Sequence, residues 1–115
     1  MQSITLTQPD DLHLHVREGD ALKSVVPHTA KQFARAIIMP NLANPVTTAS
    51  HAKAYQIEIN NALKEANLES SFEPLMTLYL TDKTDAKTIQ EAKDSGFIHA
   101  LKLYPAGAPP TLTKV

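Results

Sequence analysis

The sequence predicts an α/β protein in which helices cover a mainly parallel β-sheet. Short apolar segments with strand-like patterns alternate along the chain with segments of helical periodicity, in the order β-α-β-α-β-α-β. The connections have ordinary lengths, and parallel strands joined in this order need right-handed crossovers. Two closures fit the pattern: a small open doubly wound sheet, or the first half of a (β/α)8 barrel, which takes about 250 residues.

Four main strands are expected, over residues 11–16, 34–39, 72–80 and 97–104, with a shorter one over residues 4–7. The segment 34–39 is a short apolar run closed by Pro40, which is typical of a strand buried on both faces. The tail over residues 105–115 is rich in proline and is expected to form a loop. No internal repeat or boundary divides the chain, so we expect a single domain.

Each of the three helices has its own sequence signals. The first opens at Gly19 and places Leu22 and Val26 at helical spacing, although Pro27 should kink it or start its second piece. The second is expected to end near residue 65 or 66, and the third at Gly96, which suits a left-handed cap. Candidate caps are Thr47 or Thr48 for the second helix and Thr84 or Asp85 for the third, whose inner face carries Ile89 and Ala92.

The composition excludes several classes of protein and of site. The formal charge of -1 provides no electrostatic footprint for nucleic acid or for an anionic membrane surface. The first residues lack the pattern of a secretory signal, and no window approaches the ~20 apolar residues of a membrane span. We therefore expect a cytoplasmic protein without nucleic-acid or membrane partners. The chain has no cysteine, which excludes thiolate zinc ligands and thiol nucleophiles.

The segment 10–17, of sequence DDLHLHVR, carries the most informative polar pattern. Side chains alternate between the two faces of a strand, so His13 and His15 project from one side and can hold a metal ion together. The apolar residues beside them face the other way and can pack. Arg17 shares the parity of the histidines if the strand extends that far, which would place an anion-binding guanidinium beside the imidazoles.

Other polar side chains follow the ends of the remaining strands, where both closures place their functional sites. They are Asn41 after the second strand, Tyr79 and Thr81 at the end of the third, and Lys102 and Tyr104 at the end of the fourth. By strand parity Lys102 faces the same side as Tyr104, while Leu101 and Leu103 face the helices. An inward-pointing lysine must be desolvated, paired or chemically altered, because a lone buried ammonium is costly. Its neutral amine can react with CO2.

Each of these residues also has an ordinary structural explanation. A His-x-His pair can be two unconnected histidines, and the aspartates at 10 and 11 can either orient the imidazoles or lie in a solvated turn. Arg17 can form a surface salt bridge, Asn41 can be a turn former, and Lys102 can extend to solvent. We assign no functional role to three further histidines, which have only ordinary structural explanations: His28, His51 and His99.

Four motifs, in order along the chain, resemble the dihydroorotase family in its bacterial homodimeric type within the amidohydrolase superfamily. They are DDLHLHVR at 10–17, RAIIMPNLA at 35–43 with PVTT at 45–48, PLMTLYLT at 74–81, and LKLYPA at 101–106. The likeness covers nearly the whole chain. It implies a (β/α)8 TIM barrel of the metal-dependent hydrolase type, of which residues 1–115 supply roughly the first four β/α units as the N-terminal half of a single barrel domain.

The resemblance also implies a reaction and a set of roles. Two zinc ions would lie at the C-terminal mouth of the barrel, with His13 and His15 as ligands of the more buried ion. Lys102 would be carboxylated by CO2 to a carbamate that bridges both ions. Arg17 and Asn41 would hold the substrate's carboxylate. The implied reaction is the reversible cyclisation of N-carbamoyl-L-aspartate to L-dihydroorotate in de novo pyrimidine biosynthesis, carried out by a homodimer.

Part of the implied site lies beyond residue 115. Two further histidines would come from the fifth and sixth strands and the general acid/base aspartate from the eighth, so this chain should hold no catalytic residue and be inactive alone. Thr111 and Thr113 fall where the family closes a loop over the site, and they are left unassigned. Two alternatives stay open: a related hydrolase of hydantoin- or allantoin-like rings, and a non-catalytic metal-binding α/β module.

Overall fold

The computed structural model describes residues 2–104; the predicted loop over 105–115, with Thr111 and Thr113, lies outside the described residues. The strands are β1 (Asp10–Leu14), β2 (Arg35–Ile38), β3 (Glu73–Tyr79) and β4 (Ile98–Lys102). The helices between them are α1 (Gly19–Gln32), α2 (Ala49–Glu65) and α3 (Ala86–Ser95). Each strand pairs in parallel with the next one along the chain. The predicted alternation of strands and helices is confirmed.

The order of the strands distinguishes the two closures. A doubly wound sheet reverses the direction in which its strands are added, so that helices cover both of its faces. Here the order across the sheet is β1-β2-β3-β4, and α2 packs against both α1 and α3, so the helices share one face. This is the arrangement of the first part of a barrel wall. The described residues contain three helices, so the fourth β/α unit is represented by its strand alone.

The hydrophobic core lies between the sheet and the three helices. Its fully buried side chains come from both layers and include Val16, Leu22, Val26, Ile38, Ile59, Leu63, Met76 and Leu78. In α1 the helix continues through Pro27 as a single element, because Val26 before the proline and Ala30 after it are both anchored in the core. Among the described residues, no helix has the length and apolar character that crossing a membrane requires.

The ends of α2 and α3 follow the sequence signals closely. Thr48 caps α2, with its side-chain oxygen accepting a hydrogen bond from the backbone N–H of His51 at 3.2 Å. Asp85 caps α3, and its Oδ1 accepts from both the backbone N–H and the hydroxyl of Thr88, each at 2.8 Å. The third helix ends at Gly96, whose φ of 78° lies in the left-handed region that favours glycine.

The strand predicted over residues 4–7 is wrong. Residues 2–9 form no strand, and Ile4 and Leu6 are 84% and 81% exposed. An alternating pattern becomes a strand only when a neighbouring strand satisfies its backbone hydrogen bonds. Among the described residues this segment pairs with no strand, and the sheet consists of β1 to β4 alone.

The first main strand is also shorter than predicted. It ends at Leu14, and its register with β2 shifts between Asp11 and Leu14. As a result Leu12 is 70% exposed instead of packing, although Leu14 and Val16 do reach the core. Arg17 has a φ of 60°, in the left-handed region, so strand parity does not set its direction.

Three apolar residues near the end of the described chain are more exposed than expected. Ile89, predicted on the inner face of α3, is 45% exposed, and Leu101 and Leu103 are 39% and 75% exposed. Both leucines were expected to face helices. Within residues 2–104 no helix follows β4, so this strand is covered by α3 alone on that side.

Replacement of a core residue in α2 should destabilise the protein far more than the same replacement on its surface. Ile59 is 0% exposed and Ile57 is 49% exposed on the same helix. Ile59→Ala should lower the free energy of unfolding by about 2–5 kcal/mol, because it leaves a cavity in the core. Ile57→Ala makes the same change in helix propensity and should cost less than about 1 kcal/mol. Chemical denaturation measures both, and equal losses would contradict this placement of the core.

The Asp85 cap should make stability depend on pH. The pKa of Asp85 is lowered from its ordinary value of 3.8 by the hydrogen bonds from the backbone and hydroxyl of Thr88. A carboxylate whose pKa is lower in the folded state stabilises that state above its unfolded-state value and loses this contribution as pH falls through the folded-state value. Asp85→Asn should therefore be less stable than the wild type at pH 7, with the difference shrinking below about pH 4. Thermal unfolding of both across that range measures it, and a constant difference would refute the assignment.

Candidate active site at the carboxyl ends of the strands

The predicted site residues lie at one edge of the sheet. Parallel strands bring their carboxyl ends to the same side, where the polar residues that follow them can meet. The residues found there are His13 and His15 at the end of β1, Asn41 after β2, Tyr79 at the end of β3, and Lys102 with Tyr104 at the end of β4. We call this edge the rim.

The two histidines of β1 point toward each other. Their Nε2 atoms are 3.1 Å apart and their ring centroids 5.0 Å apart. Two nitrogen ligands at about 2.0–2.1 Å from a tetrahedral zinc ion would be about 3.3–3.4 Å apart. The two imidazoles therefore fit a shared ion with little movement, even though β1 ends before His15.

The surroundings of His15 favour its neutral form. Its pKa is lowered first by burial of the ring, and then by the positive charges of Lys102, His13 and Arg17. A neutral imidazole has a free lone pair and is the form that binds metal ions. Lys102 and Arg17 are therefore close enough to His15 for their charges to act on it.

Neither aspartate of the DDLHLHVR segment orients an imidazole ring. Asp11 accepts a hydrogen bond from the backbone N–H of His13 at 3.0 Å. Asp10 and Arg35 lie opposite each other on β1 and β2, and their side chains form an ion pair at 2.6 Å. The hydrogen bond from Arg35 lowers the pKa of Asp10. Both residues lie in β1, so neither the orienting role nor the solvated turn that the sequence left open is found for them.

Lys102 is paired rather than extended into solvent. Its Nζ donates a hydrogen bond to Oδ1 of Asn41 at 2.7 Å and lies 4.6 Å from the centroid of the Tyr104 ring. Tyr104 in turn packs against Tyr79, with 5.3 Å between ring centroids. Asn41 is only 6% exposed. Its Nδ2 has no hydrogen-bond partner among the residues that the structure describes.

The bond between Asn41 and Lys102 was not anticipated by the sequence analysis. It joins β2 to β4 across the intervening β3, and strands two apart in a sheet are separated by about 9.5 Å. The long lysine side chain and the position of Asn41, beyond the end of β2, allow the contact. Strand parity had indicated the direction of Lys102 but not its partner.

Arg17 is held at the rim through its backbone. Its carbonyl oxygen accepts a hydrogen bond from the hydroxyl of Tyr55 in α2 at 2.7 Å. Burial raises the pKa of Tyr55 well above its ordinary value, so the hydroxyl stays a donor. The Arg17 side chain is exposed, and among residues 2–104 it forms no salt bridge. The surface ion pair that the sequence allowed for it is not found there.

The remaining predicted groups lie apart from the rim cluster. Thr81 pairs with Thr84 at the start of α3, donating its backbone N–H to the Thr84 hydroxyl at 2.9 Å. His99 is exposed on β4. Among the described residues no three His, Asp or Glu side chains lie close enough together to hold a metal ion. This part of the chain thus offers two imidazoles and Lys102 as candidate ligands.

Comparison with known proteins shows the family to which the chain belongs. No family model matches the chain. The dihydroorotase of Cupriavidus necator is 63% identical over 107 residues, a match that covers 93% of this chain and 30% of that protein. The chain belongs to the dihydroorotase family. It spans about 30% of the length of the curated relatives it matches.

Solved structures of dihydroorotases have the same fold. A crystal structure of the Campylobacter jejuni dihydroorotase superimposes with a TM-score of 0.75 at 39% identity, over 93% of this chain and 29% of that one. The Saccharomyces cerevisiae dihydroorotase, solved in complex with 5-fluoroorotic acid, gives a TM-score of 0.77 at 30% identity, over 93% and 28%. The family resemblance and the barrel architecture are thereby confirmed. The roles of individual rim residues stay predictions.

Proposed function

We propose that this chain supplies the N-terminal half of a dihydroorotase barrel, with one half of its active site. The observation that carries the proposal is the convergence of the His13–His15 pair with Lys102 and Asn41 on one rim, in a member of this family. The reaction is the reversible cyclisation of N-carbamoyl-L-aspartate to L-dihydroorotate, in de novo pyrimidine biosynthesis. We place the protein in the cytoplasm, as a homodimer with a small-molecule substrate.

Arg17 and Asn41 are the proposed holders of the substrate's carboxylate. The guanidinium of Arg17 is exposed at the rim and can bind a carboxylate through two parallel N–H donors. Asn41 adds a buried amide donor that has no partner among residues 2–104. The yeast dihydroorotase was solved with 5-fluoroorotic acid, a ring that bears a carboxylate. This ring chemistry supports a carboxylate-bearing substrate over a plain hydantoin.

The proposed cofactors are two zinc ions, together with a CO2-derived carbamate on Lys102. His13 and His15 would hold the more buried ion, which their Nε2 separation of 3.1 Å and the lowered pKa of His15 support. Carboxylated Lys102 would bridge both ions. The zinc ions, when bound, supply Lewis acidity for the opening and closing of the ring amide. The rim residues hold and orient the substrate, and His15 is partly buried at this end of the site.

The remaining groups of the site would come from beyond residue 115. We propose two further histidine ligands from the fifth and sixth strands and a general acid/base aspartate from the eighth. The 115-residue chain alone should therefore hydrolyse dihydroorotate negligibly, whereas the protein with its complete barrel should do so in a zinc-dependent manner. Hydrolysis of dihydroorotate by the isolated chain would contradict the proposed division of the site. A complete protein that binds zinc but does not hydrolyse dihydroorotate would refute the substrate assignment.

Substitution of Arg17 should weaken substrate binding specifically. Arg17→Gln should lower kcat/KM for dihydroorotate by about 30-fold or more, mainly through KM, because the carboxylate loses its charged partner. Arg35→Gln is the matched control, since it removes the same charge from the opposite end of the sheet, where Arg35 pairs with Asp10. Its kcat/KM should stay within about threefold of the wild type. Steady-state kinetics decide, and faster hydrolysis of hydantoin or allantoin than of dihydroorotate would favour the related-hydrolase alternative.

Substitution of His13 should weaken metal binding. His13→Gln should reduce the zinc retained after dialysis by about one ion per site, because one of the two converging imidazoles is lost. His99→Gln serves as the control, since His99 is an exposed histidine outside the rim cluster. Elemental analysis of both variants measures the retained zinc. Equal retention in the two variants would show that the 3.1 Å histidine pair does not hold the ion.

A further inference from the structure

The turn over residues 17–19, which joins β1 to α1, has an unusual backbone. Arg17 has a φ of 60° and Gly19 a φ of 58°, so both lie in the left-handed region. Glycine adopts that region freely, whereas a Cβ atom makes it costly. In the described part of the chain the other non-glycine residue there is Asn67, and asparagine is a residue type that tolerates it. Arg17 therefore occupies a position that favours glycine.

A left-handed arginine persists only where its surroundings hold the backbone in place. Val16, directly before Arg17, and Leu22 in the first turn of α1 are both buried in the core, so the turn is anchored on both sides. The Arg17 side chain itself is exposed. Backbone strain of this kind gathers at functional sites. The conformation of Arg17 thus indicates that the turn directs its side chain and does not serve the packing of the core.

Two side chains of α2 bind this turn, one at each of its left-handed residues. The hydroxyl of Tyr55 donates a hydrogen bond to the carbonyl oxygen of Arg17 at 2.7 Å. Oε1 of Glu58 accepts one from the backbone N–H of Gly19 at 3.1 Å. The two residues are three positions apart and so lie on one face of the helix. Glu58 also satisfies a backbone donor at the start of α1, where the side chain of Glu18 forms no capping bond.

The two bonds differ in strength because their surroundings differ. Tyr55 is 4% exposed and belongs to the hydrophobic core, so its ring is fixed while its hydroxyl reaches the turn. Glu58 is exposed, and water competes for its carboxylate. The Tyr55 bond is also made to Arg17 itself. We therefore expect it to contribute more to the conformation of the turn.

We propose that Tyr55 and Glu58 are positioning residues for substrate binding, which hold the turn so that the Arg17 guanidinium is directed at the substrate's carboxylate. The inference rests on the proposed function, in which Arg17 binds that carboxylate. A guanidinium that is already directed loses less conformational freedom when the substrate binds, so affinity depends on the two bonds from α2. Both residues act through the turn and neither contacts the reacting atoms.

Tyr55→Phe tests the stronger bond, because it keeps the buried ring and removes only the hydroxyl. In the zinc-loaded protein with its complete barrel, KM for dihydroorotate should rise about fivefold while kcat stays within about twofold of the wild type. The zinc retained after dialysis should equal that of the wild type, since no proposed metal ligand is changed. Steady-state kinetics and elemental analysis measure these quantities. A folded variant with unchanged KM overturns the role of Tyr55.

A double mutant separates a role through Arg17 from a general loss of stability. In Arg17→Gln the guanidinium is already absent, so adding Tyr55→Phe should change KM by less than about twofold. Effects that simply multiply would contradict the proposal. Ile59→Val is the matched control, because it removes one buried methyl group from the same helix and no hydrogen bond. Its KM should stay within about twofold of the wild type even where its unfolding temperature falls as far as that of Tyr55→Phe.

Glu58→Ala provides a second variant in case Tyr55→Phe fails to fold, since Glu58 is exposed. Its KM should rise about twofold to threefold, because the lost bond is exposed to water. Hydrogen exchange at the backbone amides of residues 17–19, followed by mass spectrometry, should become about tenfold faster in both variants and stay unchanged in Ile59→Val. Exchange as slow as in the wild type would show that α2 does not hold the turn.

Turnover of dihydroorotate by the wild type separates this proposal from the proposed function. If the wild type is active and KM rises in Arg17→Gln but in neither Tyr55→Phe nor Glu58→Ala, the positioning role alone is overturned. A zinc-loaded wild type without turnover overturns the dihydroorotase assignment. In that case hydrogen exchange still decides whether the two residues hold the turn: faster exchange in their variants supports it, and unchanged exchange overturns it.

Discussion

The sequential parallel pairing of the four strands is the constraint on which the rest of this structure depends. Each strand pairs with the next one along the chain, so every carboxyl end reaches the same rim and every helix the same face. The core therefore forms between the helices and one face of the sheet. The polar residues of the rim lie along the edge formed by the carboxyl ends of the strands. The bond between Asn41 and Lys102, which crosses β3, is possible only because of this arrangement.

The balance of charge at the rim depends on which groups bind the two aspartates of β1. Asp10 is paired with Arg35, and Asp11 accepts from the backbone of His13, so neither offsets the positive groups of the rim. Lys102 and Arg17 therefore act on His15 and lower its pKa, in addition to the effect of its burial. A rim with this character suits anionic ligands, and a carbamate on Lys102 would replace one of its cations by an anion.

The described strands also leave surfaces that further elements of a barrel would cover. Within residues 2–104, β1 and β4 each have a single neighbouring strand. Leu101 and Leu103 on β4 are exposed on or beside the face where, in a (β/α)8 barrel, the next helix packs.

The sequence by itself determined the alternation of strands and helices, the glycine at the end of α3 and the family, and it narrowed the caps of α2 and α3 to two residues each. These features depend on local periodicity, on capping hydrogen bonds and on short motifs, all of which can be recognised within short segments of sequence. The sequence also predicted that His13 and His15 project from one side, and their rings do lie together, although β1 ends at Leu14, one residue before His15. Only the tertiary structure decided the rest. Whether residues 4–7 form a strand depends on a partner strand. The direction of Arg17 depends on its left-handed backbone and on the Tyr55 hydroxyl. The pairing of Asn41 with Lys102 joins residues 61 positions apart and depends on the order of the strands in the sheet. Such long-range contacts arise from packing between elements, and no local pattern specifies them.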